Sequence, residues 1–351
     1  MTEGSLTLPD GLELYTKTWS VCALIFPTYV PWLIQYQPNG TPRATIAFIH
    51  GFSDHCNAYH DLFPNLASAG IEIKSFDQRY NPLLTINSGW GRSVKEPRDR
   101  GNTGPTSQVL AEIHIFLQSL PLSDIPLFLM GHSMGGGQVL NYIFHPDSPY
   151  QSSPPKFAGV LLYSPLIAIH PSSRPSKVTV AAGRVVARLI PHKQRYSALD
   201  ANLISRDPAI VEYFRNDDLC HDTGTFAGLA GMLDRGIWLE SMFAGDWAKS
   251  ELPFWFGHGN GDHITSYDAT KDFVRGLQKN GGDVTFETYE GAYHKLSADL
   301  PETSTKFAEN VRDWVLGQVS QTETSGSQNE TAVKSNVPRD GSVPEAKETK
   351  L

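Results

Sequence analysis

A serine, an aspartate and a histidine stand in this chain where nucleophilic catalysis would use them. Gly131-His132-Ser133-Met134-Gly135 is a G-x-S-x-G pattern. It closes the apolar run Pro126–Met130 and opens the helical pattern Gly137–Phe144. Strand, sharp turn and helix together expose a serine hydroxyl at the tip of a tight turn. Glycine at 131 and 135 removes the side chains that would collide across that turn. The helix that follows aims free N–H groups and its positive dipole end at the place where an oxyanion would form. Gly-rich loops carry the same five-residue pattern by chance, so the flanking strand and helix single this one out.

A nucleophilic serine needs a base, and the base needs an orienting carboxylate. Behind such a turn the partners follow in the chain order Ser, Asp, His, each just past a strand end. Asp262 follows the apolar run Leu252–Phe256, within Gly257-His258-Gly259-Asn260-Gly261-Asp262. His294 follows Val284–Tyr289, within Gly291-Ala292-Tyr293-His294. Both are expected in loops at the carboxyl ends of core strands, where open α/β sheets carry their sites. Taken singly, an aspartate there reads as a turn cap and a histidine as a surface residue. Two other acids compete. Asp268 opens a helix pattern and Asp283 precedes its strand, so neither sits where the order requires. An oxyanion hole takes one N–H from the residue after the nucleophile, Met134, and one from the loop after the strand Arg43–Ile49. Within His50-Gly51-Phe52 the expectation falls on the Phe52 N–H, with His50 ordering the loop. The expected catalytic set is Ser133, Asp262 and His294, with Phe52 and Met134 as oxyanion donors, and it calls for no metal and no cofactor.

These residues need a scaffold, and the periodicities along the chain supply one. Leu6–Trp19 alternates around Pro9-Asp10-Gly11 as two short strands. Arg43–Ile49, Ile71–Phe76, Pro126–Met130 and Phe157–Tyr163 read as buried strands. Helical patterns separate them at Ala58–Gly70 and Ser107–Leu120, where Val109, Ile113, Phe116 and Leu120 share a face. Such alternation specifies an α/β fold with a mostly parallel central sheet and helices on both faces. From Ser164 to Trp247 no buried strand pattern appears. Val178–Ile190 is helical, with Val178, Ala182, Val185, Val186 and Leu189 on one side, and further helical pieces lie near Ile210–Tyr213 and Phe226–Phe243. The expected organisation is a first core part at 1–163, a helical cap at 164–247, a second core part at 248–318 and a disordered tail at 319–351. The tail is polar and lacks aromatic residues, so it has little to bury.

The chain has 351 residues and a formal net charge of −8, with no basic face, which excludes a nucleic-acid partner. Cys22, Cys56 and Cys220 are odd in number and widely spaced, without a metal-ligand pattern, so reduced thiols are expected. The polar, acidic start is unlike a signal peptide. The expected location is cytoplasmic. The terminal Thr-Lys-Leu is only a loose variant of the peroxisomal address. Ser20–Gln37 is uncharged and close to membrane-spanning length, but Pro27 and Pro31 interrupt it.

Four stretches in register resemble one family. His50-Gly51-Phe52-Ser53-Asp54-His55, Gly131-His132-Ser133-Met134-Gly135-Gly136, Gly259-Asn260-Gly261-Asp262 and Gly291-Ala292-Tyr293-His294-Lys295-Leu296 are similar to the motifs of the monoacylglycerol lipase family, the serine-aminopeptidase-like α/β hydrolases. Ser205-Arg206-Asp207-Pro208 to Asp218-Leu219-Cys220 resembles that family's cap segment. The likeness spans about residues 5–317. It implies the α/β-hydrolase fold and a Ser–Asp–His hydrolase of glycerol esters with a lipid-facing cap. The implied partner is a small acylglycerol or ester, with peripheral contact to a membrane or lipid-droplet surface. Other readings are a different carboxylesterase or lysophospholipase, an aminopeptidase using Asp217, Asp218 and Asp222 as an amine subsite, and a binding module that kept the fold without catalysis. Two departures stand out. Residues 20–37 interrupt the family's early strands, and Tyr80–Ser88 separates Asp77-Gln78-Arg79 from Gly89-Trp90-Gly91-Arg92-Ser93. Translated intron remnants would explain both, as would lineage-specific loops, and spliced message containing both stretches would remove the first idea.

Overall fold

The computed structural model describes residues 2–7, 13–19, 40–78, 89–94, 96–244 and 250–335. The stretch 20–37, the interruption 80–88, Cys22 and the last sixteen positions of the expected tail, 336–351, lie outside them. In chain order the elements are β1 (Thr2–Thr7), β2 (Glu13–Trp19), β3 (Ala44–Ile49), α1 (Leu62–Ser68), β4 (Ile71–Phe76), α2 (Thr106–Ser119), β5 (Leu127–His132), α3 (Met134–Phe144), β6 (Gly159–Tyr163), α4 (Lys177–Leu189), β7 (Gln194–Tyr196), α5 (Pro208–Asn216), β8 (Thr223–Thr225), α6 (Phe226–Ser241), β9 (Phe254–Gly259), α7 (Tyr267–Lys279), β10 (Val284–Tyr289) and α8 (Pro301–Ser335).

Eight strands form one sheet in the order β1-β2-β4-β3-β5-β6-β9-β10. The β1–β2 and β2–β4 pairings are antiparallel, and every later pairing is parallel. Side chains of the central strands alternate between two buried layers. Along β5, Phe128 and Met130 pack on the side of α1 and α8, while Leu129 packs on the side of α2, α3 and α7. Each such buried side chain is worth about 1.5–3 kcal/mol. A one-residue slip would send all of them to the wrong layer, so burial on both faces fixes the register. Parallel pairing brings the carboxyl ends of β5, β6, β9 and β10 to one edge. Among the described residues, no helix is long and apolar enough to cross a membrane.

Two expectations change. The cap is not wholly helical, because β7 and β8 form an antiparallel pair with Gln194 opposite Thr225. Strands of three residues are too short to show alternation. The last helix, expected to end near Gln318, continues to Ser335. Val319 is buried within it, and no proline occurs between Pro301 and Pro338. Composition measures what a segment can bury, and an existing helix needs no burial to extend by further turns. The apolar side of α4 is largely exposed: Val178 is 79% exposed, Val185 54% and Leu189 75%. Arg184 of α4 bonds Asp234 of α6 at 2.8 Å.

Candidate active site

Ser133 stands between β5 and α3 with φ 52° and ψ −121°. Such left-handed backbone costs a non-glycine residue of order 1–3 kcal/mol and persists only where the surroundings over-determine it. They do so here. The Ser133 N–H donates to the Tyr163 carbonyl (3.2 Å), and the Ser133 carbonyl accepts from Gly137 (3.0 Å) and Leu166 (2.8 Å). The two glycines of the turn are required by close approach. A Cβ on Gly131 would come 2.7 Å from the Gly135 carbonyl oxygen, and one on Gly135 would come within 2.2 Å of the Ile49 carbonyl oxygen.

The loops after β9 and β10 bring the two expected partners to this turn. His294 Nε2 lies 2.8 Å from Ser133 Oγ, and His294 Nδ1 lies 2.7 Å from Asp262 Oδ2. With its proton on Nδ1 and directed at the carboxylate, the imidazole presents Nε2 as acceptor to the serine hydroxyl. Asp268 and Asp283 are exposed, and neither touches His294.

Asp262 is held more firmly than its sequence context suggested. Its Oδ1 accepts the N–H groups of Ile264 (2.7 Å) and Thr265 (3.0 Å). Its Oδ2 also accepts from the Thr265 hydroxyl (2.8 Å) and from His258 Nε2 (3.1 Å). Burial by itself would raise this carboxyl; the His294 and His258 imidazoles override it and hold the group well below the usual carboxylate range. His258 and Thr265 are participants that the sequence did not single out. The available signal was the spacing of His258, four residues before Asp262 at the end of its strand.

The loop after β3 lies against the nucleophile, since a Cβ on Gly51 would meet Ser133 Cβ at 3.2 Å. Both nitrogens of His50 are engaged, Nδ1 with the Gly51 carbonyl (2.8 Å) and Nε2 as acceptor of the Gln78 N–H (2.9 Å). Its burial lowers its pKa, so a neutral ring braces the loop. The Phe52 N–H follows in that loop, and the Met134 N–H opens α3 where no intrahelical acceptor exists. The Phe52 ring packs on Trp90 with centroids 4.7 Å apart.

A second cluster joins the loop after β3 to the end of α5. His55 Nδ1 accepts the Asn57 N–H (3.2 Å), so Nε2 carries the proton that goes to Asp217 Oδ2 (2.9 Å). Cys220 completes a group whose potential ligand atoms lie within 4.8 Å of one another. A metal on Nε2 would need the proton on Nδ1, where the Asn57 N–H already points. His55 and Asp217 therefore form a hydrogen-bonded tie, with Cys220 beside it.

A cavity of about 980 Å³ opens between α4, α6 and the segment after β6. Leu166, Ile167, Val180, Met232, Leu233 and Ile237 form its apolar wall. Leu166 is the residue whose N–H bonds the Ser133 carbonyl.

The family described as serine aminopeptidase, S33, matches residues 40–301. A monoglyceride lipase candidate of Schizosaccharomyces pombe is 30% identical over 92% of this chain and 76% of its own length. The monoglyceride lipase of Mus musculus is 25% identical over 81% of this chain and 86% of its own. In shape, the chain is similar to a soluble variant of monoglyceride lipase from Saccharomyces cerevisiae, solved with a substrate analogue. That match has a TM-score of 0.71 at 21% identity, covering 91% of this chain and 96% of the other. At that identity the likeness speaks for the fold.

Proposed function

The chain belongs to the serine aminopeptidase S33 family, and from that membership we propose a carboxylic ester hydrolase of the monoacylglycerol lipase type, with Ser133 as nucleophile. Ser133 Oγ attacks the acyl carbonyl carbon while His294 Nε2 takes its proton, and Asp262 steadies the imidazolium. The Phe52 and Met134 N–H groups receive the oxyanion, each worth about 2.7–4 kcal/mol in such sites. Collapse breaks the ester C–O bond, His294 returns the proton to the departing glycerol oxygen, and water then cleaves the acyl-enzyme. The observation that carries this reading is the unbroken Ser133–His294–Asp262 hydrogen-bond chain on a left-handed serine. Purified protein should react with a fluorophosphonate probe and hydrolyse a monoacylglycerol; failure of both removes the reading. An aminoacyl anilide should not turn over. Asp217 is taken by His55, which removes one of the three acids from a free amine subsite.

The cavity beside Leu166 is the acyl site in this proposal. Its apolar wall suits an acyl chain, while Arg174, Lys177, Arg184 and Glu240 also line the cavity. Each further buried methylene should favour binding by about 0.8 kcal/mol, or about fourfold, until the cavity is filled. Specificity constants should rise from acetate to octanoate, and Leu233→Asp should cut octanoate turnover more than acetate turnover. A flat profile would move the acyl site elsewhere.

The exposed face of α4 is the proposed contact with a lipid surface. Val178, Val185 and Leu189 project from the cap beside exposed Arg188, Lys193 and Arg195. Apolar side chains flanked by cations suit an interface whose headgroups carry negative charge. Val178→Glu with Leu189→Glu should weaken sedimentation with vesicles containing phosphatidylserine and leave hydrolysis of a soluble ester unchanged. Equal vesicle binding by both proteins would sink this contact.

A further inference from the structure

We propose that the buried ion pair between Lys295 and Asp54 is a positioning device that locks the oxyanion loop to the histidine loop during the ester cleavage assigned above. It rests on that reading. Lys295 directly follows His294 and is 4% exposed, while Asp54 lies two residues after Phe52 and is 3% exposed. Lys295 Nζ donates to both Asp54 oxygens, at 3.0 and 3.2 Å.

The pair extends to the nucleophile through one tyrosine. The Tyr59 hydroxyl donates its single proton to Asp54 Oδ2 at 2.8 Å. Its oxygen then accepts the Gly51 N–H at 3.3 Å and His132 Nδ1–H at 3.2 Å. His132 immediately precedes Ser133. Burial lowers its pKa to about 3, so the ring stays neutral with one proton to give. His132 also stacks on Tyr163, with centroids 4.3 Å apart, and lies 5.0 Å from the His294 ring. The network therefore reaches the residue after the base, the residue before the nucleophile and both sides of Phe52.

Stability does not account for it. Removing two charges from water costs several kcal/mol per ion, and well-packed apolar residues of similar volume are often as stable. Burial would raise the Asp54 carboxyl; the Lys295 ammonium, then His132, hold it well below the usual range, so it stays ionised. What a fixed, directional pair adds is geometry. Oxyanion donors must lie about 2.7–3.1 Å from the developing charge, and a displacement near 1 Å can cost about a hundredfold in rate.

The test compares Lys295→Met alone with Lys295→Met/Asp54→Asn in the full chain, reading Tm, KM and kcat on a soluble ester. The single change strands a buried carboxylate and should lower both Tm and kcat. The double change removes both charges, so Tm should recover and KM should stay near wild type, while kcat remains at least about tenfold low. A double variant with wild-type kcat would overturn the proposal and leave the pair a structural one. Should the double variant fail to fold, Asp54→Glu keeps the charge on a longer arm. Reduced kcat at an unchanged Tm supports the proposal, and unchanged kcat overturns it. If the wild type reacts with a fluorophosphonate but cleaves no monoacylglycerol, the substrate reading has failed. The same variants are then compared by their rates of probe inactivation, which keeps the two failures separate.

Discussion

Ser133→Ala should lower turnover of a monoacylglycerol by about 10⁴- to 10⁶-fold and abolish labelling by a fluorophosphonate. The loss follows from geometry. Ser133 Oγ is the atom that bonds His294 Nε2, and the Phe52 and Met134 donors cannot supply a nucleophile. Folding should survive. The strained turn is held by backbone bonds to Tyr163, Gly137 and Leu166, which alanine keeps. The change removes one hydroxyl and keeps the Cβ of a buried residue, so Tm should move by less than about 4 °C for a chain of this size. Turnover within tenfold of wild type in this variant would remove Ser133 from the proposed role.

Asp262→Asn should cost about 10⁴-fold in kcat, because the tautomer of the base depends on the carboxylate. The Asn oxygen can replace Oδ1 and still accept the Ile264 and Thr265 N–H groups. Its NH₂ would then face three donors: His294 Nδ1, His258 Nε2 and the Thr265 hydroxyl. To relieve that clash, His294 must move its proton to Nε2, where it points at the serine and blocks proton transfer. The same clash should lower stability by about 1.5–3 kcal/mol for each charge-assisted bond lost, visible as a lower Tm. Asp268→Asn and Asp283→Asn serve as controls and should leave both kcat and Tm near wild type. A fully active Asp262→Asn would overturn the assignment of the orienting acid.

The glycines at 131 and 135, the apolar run before Ser133 and the helix after it were legible because a nucleophile turn is a local structure. So was the order Ser133, Asp262, His294, since each residue needs only a strand end before it. The alternation of buried strands and amphipathic helices likewise announced a parallel sheet with two covered faces. Helical periodicity correctly found α4 and named its apolar side. It could not say which way that side faces, because an amphipathic helix has the same pattern over a sheet, over a cavity or toward a lipid surface. The β7–β8 pair escaped notice because three residues carry no period.

Local pattern brought the candidate acid and base to strand ends; it did not bring them to each other. That required β5, β6, β9 and β10 to lie side by side in register, a pairing in space that periodicity along the chain does not encode. The same limit hid His258 and Thr265 as partners of Asp262, and His55 as the partner of Asp217, 162 residues away. It hid Lys295 and Asp54 most completely, at a separation of 241 residues. A lysine beside a histidine and an aspartate in a glycine-containing loop both read as solvated surface charges. Only the folded sheet closes their loops over one another, and exclusion of water then makes an ion pair of two residues that would otherwise remain separately hydrated.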